Sequence, residues 1–410
     1  MNKYVIIGNG TAAVGCIEGI RSTDTEGKIT VISEENHQVY GRPLISYYLQ
    51  KKTNLENMNY RPRDFYEKNG CDVIYGKKAV HIDTEAKAVI LNDGTHLDYT
   101  CVCVATGSSP FVPTLDGLET VEKKFSFMTL DDTLALEKAV NSNSRVLIVG
   151  AGLIGLKCAE GLRAITPHIT VCDLAYRVLS SILDGTCASM IQNRLQENDI
   201  SFLLGDSVSR FTGNKAVMQS GKTVEFDVLV LAVGVRANTS LVKEIGGDVG
   251  KGIVVNTKME TSLPLVYAAG DCTEGDDISS GTKKVLALLP NAYMQGNCAG
   301  VNMAGGNDCF DKAIPMNSIG FFGLHAMTAG SYDGECFEEK TNAGLKRFYV
   351  KDGILMGFML IGETARVGIL TSLIREKTPL AEIDFELLKK ITTSAVFSSK
   401  MRRNKFGGVV

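Results

Sequence analysis

Residues Val146 to Glu160 read VLIVGAGLIGLKCAE, an apolar run followed by Gly150, Gly152 and Gly155 in the order G-x-G-x-x-G. Few local structures satisfy that order. A short buried strand ends in a tight turn at Gly150, the backbone of Gly152 lies open to a phosphate, and Gly155 lets the following helix pack close to the strand. The helix N-terminus then turns free N–H groups and the positive end of its dipole toward the anion. The next strand, HITVC, delivers Asp173 at its end, where a carboxylate can accept from a ribose hydroxyl.

One such signature in a chain with 42 glycines would be weak evidence. The start of the chain carries a second. Tyr4 to Ile7 reads as a strand, Gly8, Gly10 and Ala13 give G-x-G-x-x-A, and the strand KITVIS leads to Glu34, 21 residues beyond Ala13. Chance would have to supply both glycine turns and both acidic strand ends. Two βαβ units in one chain therefore predict two bound dinucleotides and an α/β fold with two Rossmann-like domains.

The totals set the remaining bounds. A length of 410 residues suits two or three domains. With 44% hydrophobic and 22% charged residues there is ample material for a core, and a net charge of −3 gives no general attraction to nucleic acid or anionic lipid. No apolar run approaches the roughly 18–20 residues of a membrane span, and the first strand leaves no room for a secretory leader, so the expected compartment is the cytoplasm. The eleven cysteines include no C-x-x-C; Cys101 and Cys103 share one face of a strand, Cys158 falls in a helix and Cys172 in a strand. They read as scattered buried thiols of a reducing compartment, and no metal or cluster signature accompanies them.

Between the motifs, Arg42-Pro43 opens a short helix, with proline suited to its first turn and the guanidinium able to pair with a phosphate. Residues 71–99 read as short strands around an Asn92-Asp93-Gly94 turn, with Val80 inside one of them. The buried strand from Cys101 ends in the small-residue turn Ala105-Thr106-Gly107, and Pro113 breaks into a connector. The helix of the second unit is expected to end at Thr166-Pro167. Asp227 to Gly234 reads as a buried strand, after which Val235 to Asn238 returns the chain to the first domain. The apolar strand LVYAAGD delivers Asp271 at its C-terminal end, where open α/β sheets bind ligands. A helix follows from about Ala292, with Cys298 on its packing face. Near the C-terminus, LKRFYVKDGILMGFMLIG is a hairpin turning at Lys351-Asp352-Gly353, a helix runs from around Thr364 to Ile374, and a shorter one lies near Phe385. Lys400, Arg402, Arg403 and Lys405 make a basic tail. The expected domains are 1–113 with 246–312, then 114–245, and a C-terminal α+β domain over 313–410.

Taken in order, G-x-G-x-x-A, acid, A-T-G, G-x-G-x-x-G, acid, G-V-R-x-N and Y-A-A-G-D resemble the flavin-dependent pyridine nucleotide–disulfide oxidoreductase superfamily over residues 1–312. Within it, Tyr40-Gly41-Arg42-Pro43-Leu44 and the run Leu289 to Gly296 are similar to the NADH:rubredoxin reductase, ferredoxin reductase and nitrite reductase flavodomain branch. The resemblance implies FAD in the first site. Gly8, Gly10, Thr11 and Ala13 would hold its pyrophosphate, Glu34 and Glu35 its adenosine ribose, and Val80 would lie by the adenine. Arg42 and Pro43 would flank phosphates and flavin, and Ala105, Thr106 and Gly107 would line the cofactor. Gly270 and Asp271 would meet the ribityl group, and Leu289, Pro290 and Asn291 the flavin edge. The resemblance also implies NAD(H) in the second site, at Gly150, Gly152, Leu153, Ile154, Gly155, Asp173 and Gly234.

Three features depart from that pattern. Thiol-relay members carry a redox cysteine near residues 40–46, but here Arg42, Pro43 and Ser46 stand there and no cysteine lies between Cys16 and Cys71. The flavin-side lysine common in the family is replaced by Tyr47, and its glutamate partner by Lys157. Met128 stands where an arginine is frequent. The implied function is an FAD-dependent NADH oxidoreductase moving electrons between NAD(H) and an iron–sulfur protein of rubredoxin or ferredoxin type. The alternative is an electron-transfer subunit of a larger iron–sulfur oxidoreductase, and the lesser alternative an NADH oxidase or peroxidase. Lys157 and Tyr47 are the candidate catalytic side chains. Asp173 favours NADH over NADPH, while Arg177 nearby is the side chain that could receive a 2′-phosphate. Nothing in the sequence specifies an oligomeric state.

Overall fold

Strand Lys3–Ile7 lies at the centre of a five-stranded sheet, flanked by Cys101–Val104 and Val266–Ala268 on one side and by Lys28–Ser33 and Cys71–Tyr75 on the other. All four pairings are parallel. A second five-stranded sheet centres on Val146–Val149, between Ile169–Asp173 and Val228–Leu231, with Ile200–Leu204 and Lys124–Phe125 at its edges. Both central strands are buried along nearly their whole length. Their unbroken apolar runs are the signature of parallel strands covered on both faces. The register aligns Ile7 with Ile32 and Val104, and Val149 with Cys172 and Leu231. In each sheet the glycine turn, the acidic strand end and the chain leaving the neighbouring strand therefore gather at the carboxyl ends of the strands.

The computed structural model describes residues 1–341 and 344–406. They form two compact units, and both dinucleotide sheets belong to the first, which comprises Met1–Leu174, Ser201–Asp276 and Lys283–Ala313. Within that unit an antiparallel ribbon of Ser108–Pro110 and Val235–Ala237 ties the two sheets together. Asn238 reinforces it: its side-chain amide donates to the Thr106 carbonyl at 2.9 Å, and its carbonyl accepts from the Thr106 hydroxyl at 3.0 Å.

The second unit comprises Ala175–Ile200, Asp277–Thr282 and the residues from Ile314 on. Its sheet is antiparallel, in the order Met316–Phe321, Leu324–Gly330, Ile354–Ile361, Gly344–Lys351, Glu335–Thr341. The expected hairpin is its centre, with Asp352 and Gly353 both at positive φ as a tight two-residue turn requires. Three further strands extend it beyond the sequence expectation. The edge strand ECFEEKT hides among charged residues, and glycines interrupt the other two. Phe348, Phe358, Leu360, Leu370 and Leu373 make the core against helix Gly368–Arg375. That helix starts later than expected because Arg366 sits at φ 58°. The segment 175–200 is held to this sheet by Arg347, which pairs with both Asp184 and Glu338, and by Tyr332, whose hydroxyl donates to the Ile182 carbonyl at 3.1 Å.

Two other helix ends differ from the expectation. Helix Leu153–Leu162 stops before Thr166 because the Leu162 carbonyl accepts from both Ile165 and Thr166, tightening the last turn. Helix Leu289–Met303 begins ahead of Ala292, with Pro290 in its first turn. Lys400, Arg402 and Arg403 lie on helix Ser399–Phe406, and the Lys405 side chain lies outside the described residues. Among the described residues no helix is long and apolar enough to cross a membrane.

Candidate functional site

The two glycine turns are built alike. Gly8 and Gly150 both sit at φ 115°, a conformation that L side chains rarely adopt. A Cβ on Gly8 would stand closer than 3.0 Å to the Ala105 carbonyl, and one on Gly150 equally close to the Ala232 carbonyl. Their N–H groups donate to Ile32 at 2.9 Å and Cys172 at 2.8 Å. Gly10 and Gly152 then cap helices Thr11–Thr23 and Leu153–Leu162, neither with a side-chain cap, and nothing lies within 4 Å of where their Cβ atoms would be. Each helix N-terminus is thus left open to an anion, the arrangement a pyrophosphate needs. Gly107 and Gly234 are equally open, on the chain leaving the adjacent strands. Gly155 packs so closely on the Gly150 carbonyl that no side chain fits, while the first unit accommodates Ala13 fully buried. Thr11 is buried beside it, and Leu153 and Ile154 open the second helix.

The acidic strand ends differ. Asp173 accepts from the Ala151 N–H at 2.7 Å, so it braces the second glycine turn. Arg177 donates to the carbonyls of Leu183 and Ser180. Glu34 is exposed and pairs with Lys78 at 3.2 Å, and Val80, two residues beyond Lys78, is exposed as well. Glu35 instead pairs with Arg42 and accepts from the Tyr40 hydroxyl at 2.7 Å. Burial raises the Tyr40 phenol pKa, keeping it a donor to Glu35, and its oxygen accepts from Leu130 N–H at 2.9 Å. Arg42 also donates to the Met128 carbonyl at 3.1 Å. The backbone of Met128 thus fixes the arginine that stands just ahead of the short helix Leu44–Leu49, which Pro43 caps.

Asp271 is the least satisfied acid of the site. Burial pushes its carboxyl above the usual range, the Arg42 charge opposes that shift, and it accepts no hydrogen bond from any described residue. Such a half-buried acceptor, still open on one side, fits a polyhydroxyl chain that would donate to it. Beside it, Gly270 N–H donates to the buried Gln295 side chain at 2.9 Å. Gln295 belongs to helix Leu289–Met303, whose first turn carries Leu289, Pro290 and buried Asn291. This helix crosses Thr11–Thr23 in backbone contact: Gly15 and Gly19 face it, and Gly296 and Gly300 face back, each too close for a Cβ. The crossing sets the two helix N-termini and Asp271 around one site. Sequence reasoning gave Asn238 and Gln295 no role at the site. Their signals were present in G-V-R-x-N and in the run Leu289 to Gly296.

Tyr47 and Lys157 come together where helix Leu44–Leu49 packs on Leu153–Leu162. The Lys157 Nζ lies 5.1 Å from the Tyr47 ring centroid and pairs with Glu160 on its own helix. Cys272, the cysteine next in sequence to Asp271, is fully buried, donates to Val104 and Ala269 carbonyls at 3.3 Å, and has its thiol pushed up to about 12 by burial.

Residues 2–296 match the family model described as pyridine nucleotide-disulphide oxidoreductase. The chain is similar to the epsilon subunit of NADH-dependent phenylglyoxylate dehydrogenase from Aromatoleum evansii, 32% identical over 398 residues that cover 93% of each chain. It is also similar to the NAD(P)H nitrite reductase of Bacillus subtilis, 30% identical over 93% of this chain but only 48% of that protein, so it spans about half of that relative. Among solved structures, the putidaredoxin reductase–putidaredoxin complex superposes with a TM-score of 0.87 over 96% of this chain and 97% of that one, at 23% identity, a likeness of fold. With its two glycine cradles inside the matched span, the chain belongs to the pyridine nucleotide-disulphide oxidoreductase family of FAD- and NAD(P)-binding oxidoreductases.

Proposed function

We propose that this chain is an FAD-dependent NADH oxidoreductase that moves electrons between NAD(H) and an iron–sulfur protein of rubredoxin or ferredoxin type. FAD, when bound, accepts a hydride as an electron pair and can release the electrons singly. The chain's own residues bind and orient. On this reading Gly8, Gly10, Thr11 and Ala13 hold the FAD pyrophosphate, Asp271 accepts from its ribityl hydroxyls, and Gly150 to Gly155 hold the NAD pyrophosphate. Residues 1–113 with 246–312 serve FAD, 114–245 serve NAD(H), and 313–410 shape the acceptor's dock. The observation that carries the reading is the pair of matched, open glycine cradles within one compact unit. The helix Leu44–Leu49 carries Ser46 and no cysteine, which supports direct transfer rather than a thiol relay. Eleven free cysteines accord with a reducing, cytoplasmic compartment.

A second reading has a specific observation in its favour. The relative from Aromatoleum evansii is named as a subunit of a larger dehydrogenase and matches this chain over 93% of both lengths. On that reading the chain is the electron-transfer subunit of an iron–sulfur oxidoreductase complex. Gentle purification from the native host separates the two. Iron–sulfur subunits eluting with the chain in fixed ratio favour the complex. A chain eluting alone that reduces rubredoxin or ferredoxin from NADH favours the free reductase, and failure to reduce any one-electron acceptor from NADH in either form overturns both.

A further inference from the structure

Resting on the reading of this chain as an NADH-dependent flavoprotein, we propose that the Lys157 ammonium, held against the face of Tyr47, disfavours the oxidised, positively charged nicotinamide, and that Tyr47 is the residue that positions this charge. The 5.1 Å separation of Nζ and ring centroid is within cation–π range. Glu160, whose side chain is only 4% exposed, holds the same ammonium from one turn along the helix. The cation is therefore fixed from two directions, by an anion on its own helix and by an aromatic face across the seam.

The seam itself is tight. A Cβ on Gly161 would stand 3.1 Å from the Leu49 Cβ and 3.3 Å from the Ser46 carbonyl. Lys157 and Gly161 are four residues apart, so they share the helix face that meets Leu44–Leu49. A tyrosine at 47 fits this geometry because the residue stays 37% exposed while its ring faces the ammonium, leaving the pair within reach of a ligand. The cation sits over the ring, a contact that phenylalanine would keep.

The position relative to the nucleotide follows from the same helix. Gly152 caps it at the pyrophosphate end, and Lys157 lies five residues further, about 7–8 Å along the axis. Asp173 takes the adenosine ribose, so the other nucleoside runs away from Asp173 toward the flavin half. The helix pair Leu44–Leu49 and Leu153–Leu162 is where the flavin half packs on the nucleotide half. Oxidised nicotinamide carries one positive charge and the reduced ring none. A fixed ammonium nearby costs the first and leaves the second nearly unaffected. Glu160 reduces this field without cancelling it, and the net effect hastens departure of the oxidised nucleotide.

The test measures binding to the oxidised holoenzyme, not turnover. Dissociation constants are obtained for NAD+ and for 1,4,5,6-tetrahydro-NAD, whose ring is neutral and donates no hydride. Lys157→Met is expected to tighten NAD+ about fivefold while changing the neutral analogue less than about twofold. Because that variant removes the ammonium from beside the buried Glu160 carboxylate, Lys157→Met/Glu160→Gln is measured beside it and shifts the ratio in the same direction. Tyr47→Phe retains the wild-type ratio, and Tyr47→Leu moves it toward that of Lys157→Met. An unchanged ratio in both Lys157 variants overturns the charge discrimination, and a wild-type ratio in Tyr47→Leu overturns the positioning role. If NADH fails to reduce the wild-type flavin, the underlying reading fails instead, whatever the ratio.

Discussion

A Cβ on Gly296 would stand closer than 3.0 Å to the carbonyl of Ala12. The contact recurs between Gly300 and Cys16, and in the other direction between Gly15 and Tyr293. The two helices thus touch backbone to backbone, and their N-termini are fixed relative to each other by that crossing. A methyl at Gly296 has no flexible neighbour to displace, only main chain. Gly296→Ala is expected to cost about 1–3 kcal/mol through overpacking and to lower the flavin retained per chain. Thermal unfolding and the flavin-to-protein absorbance ratio check this; a variant with full flavin and an unchanged midpoint would contradict it.

In the structure Asp173 accepts from Ala151 N–H at 2.7 Å; on the proposed reading it also accepts from a ribose hydroxyl of NAD(H). A 2′-phosphate there would meet a like charge. NADH is expected to be preferred over NADPH by at least about tenfold in kcat/KM, near 1.4 kcal/mol. Asp173→Ala should lower the NADH value and narrow the preference, because it loosens the turn as well as removing the acceptor. Equal kcat/KM for both nucleotides with the wild-type protein would refute the assignment.

Much of this architecture was legible in the chain itself, for reasons that particular residues make plain. Val146 to Val149 and Tyr4 to Ile7 are apolar on both faces, and each runs straight into a glycine turn, so local pattern and tertiary role coincide. The hairpin at Asp352-Gly353 was legible because its turn demands positive φ at both positions. The edge strand Glu335–Thr341 was not: with one edge open, its charges suit solvent and conceal the alternation. The Arg42–Glu35 pair was also hidden, since both residues carried implied ligand roles and nothing local announces their contact. The meeting of Tyr47 with Lys157 depends on a helix–helix seam between residues far apart in sequence. Each residue was marked by its departure from a family pattern, and only the fold brought the two departures together.

Asp271 offers a test of whether the site is shaped for a ligand at the expense of the empty protein. Burial lifts its carboxyl pKa above the ordinary 3.8, with Arg42 opposing. The folded apoprotein therefore holds this proton more tightly than the unfolded chain does, and its stability falls as pH rises from 3.8 through the raised folded value. Asp271→Asn abolishes that dependence. The apo variant is expected to gain stability relative to wild type as pH rises from about 4 to about 7, yet to bind FAD more weakly, having lost the ionised acceptor. Parallel urea midpoints across that range, or undiminished FAD affinity, would contradict this.

The thiols give a prediction by counting. Only Cys309 and Cys336 are exposed. Burial pushes the Cys71, Cys172, Cys272 and Cys298 thiols up to about 12, far from the thiolate form that reacts. Intact-mass measurement after native alkylation should find modification at Cys309 and Cys336 alone, and prior reduction with NADH should expose no further site. A new label appearing only after reduction would reveal a redox-active disulfide.

The central claim is that electrons pass between NADH and an external one-electron centre through flavin alone, with no thiol relay in this chain. Anaerobic titration of the holoprotein with NADH, followed by flavin absorbance, tests it most directly. The account predicts full bleaching at one two-electron equivalent per FAD, with later reoxidation by a one-electron acceptor insensitive to alkylation. A requirement for two such equivalents per FAD, or loss of reoxidation after reduction and alkylation, would contradict it.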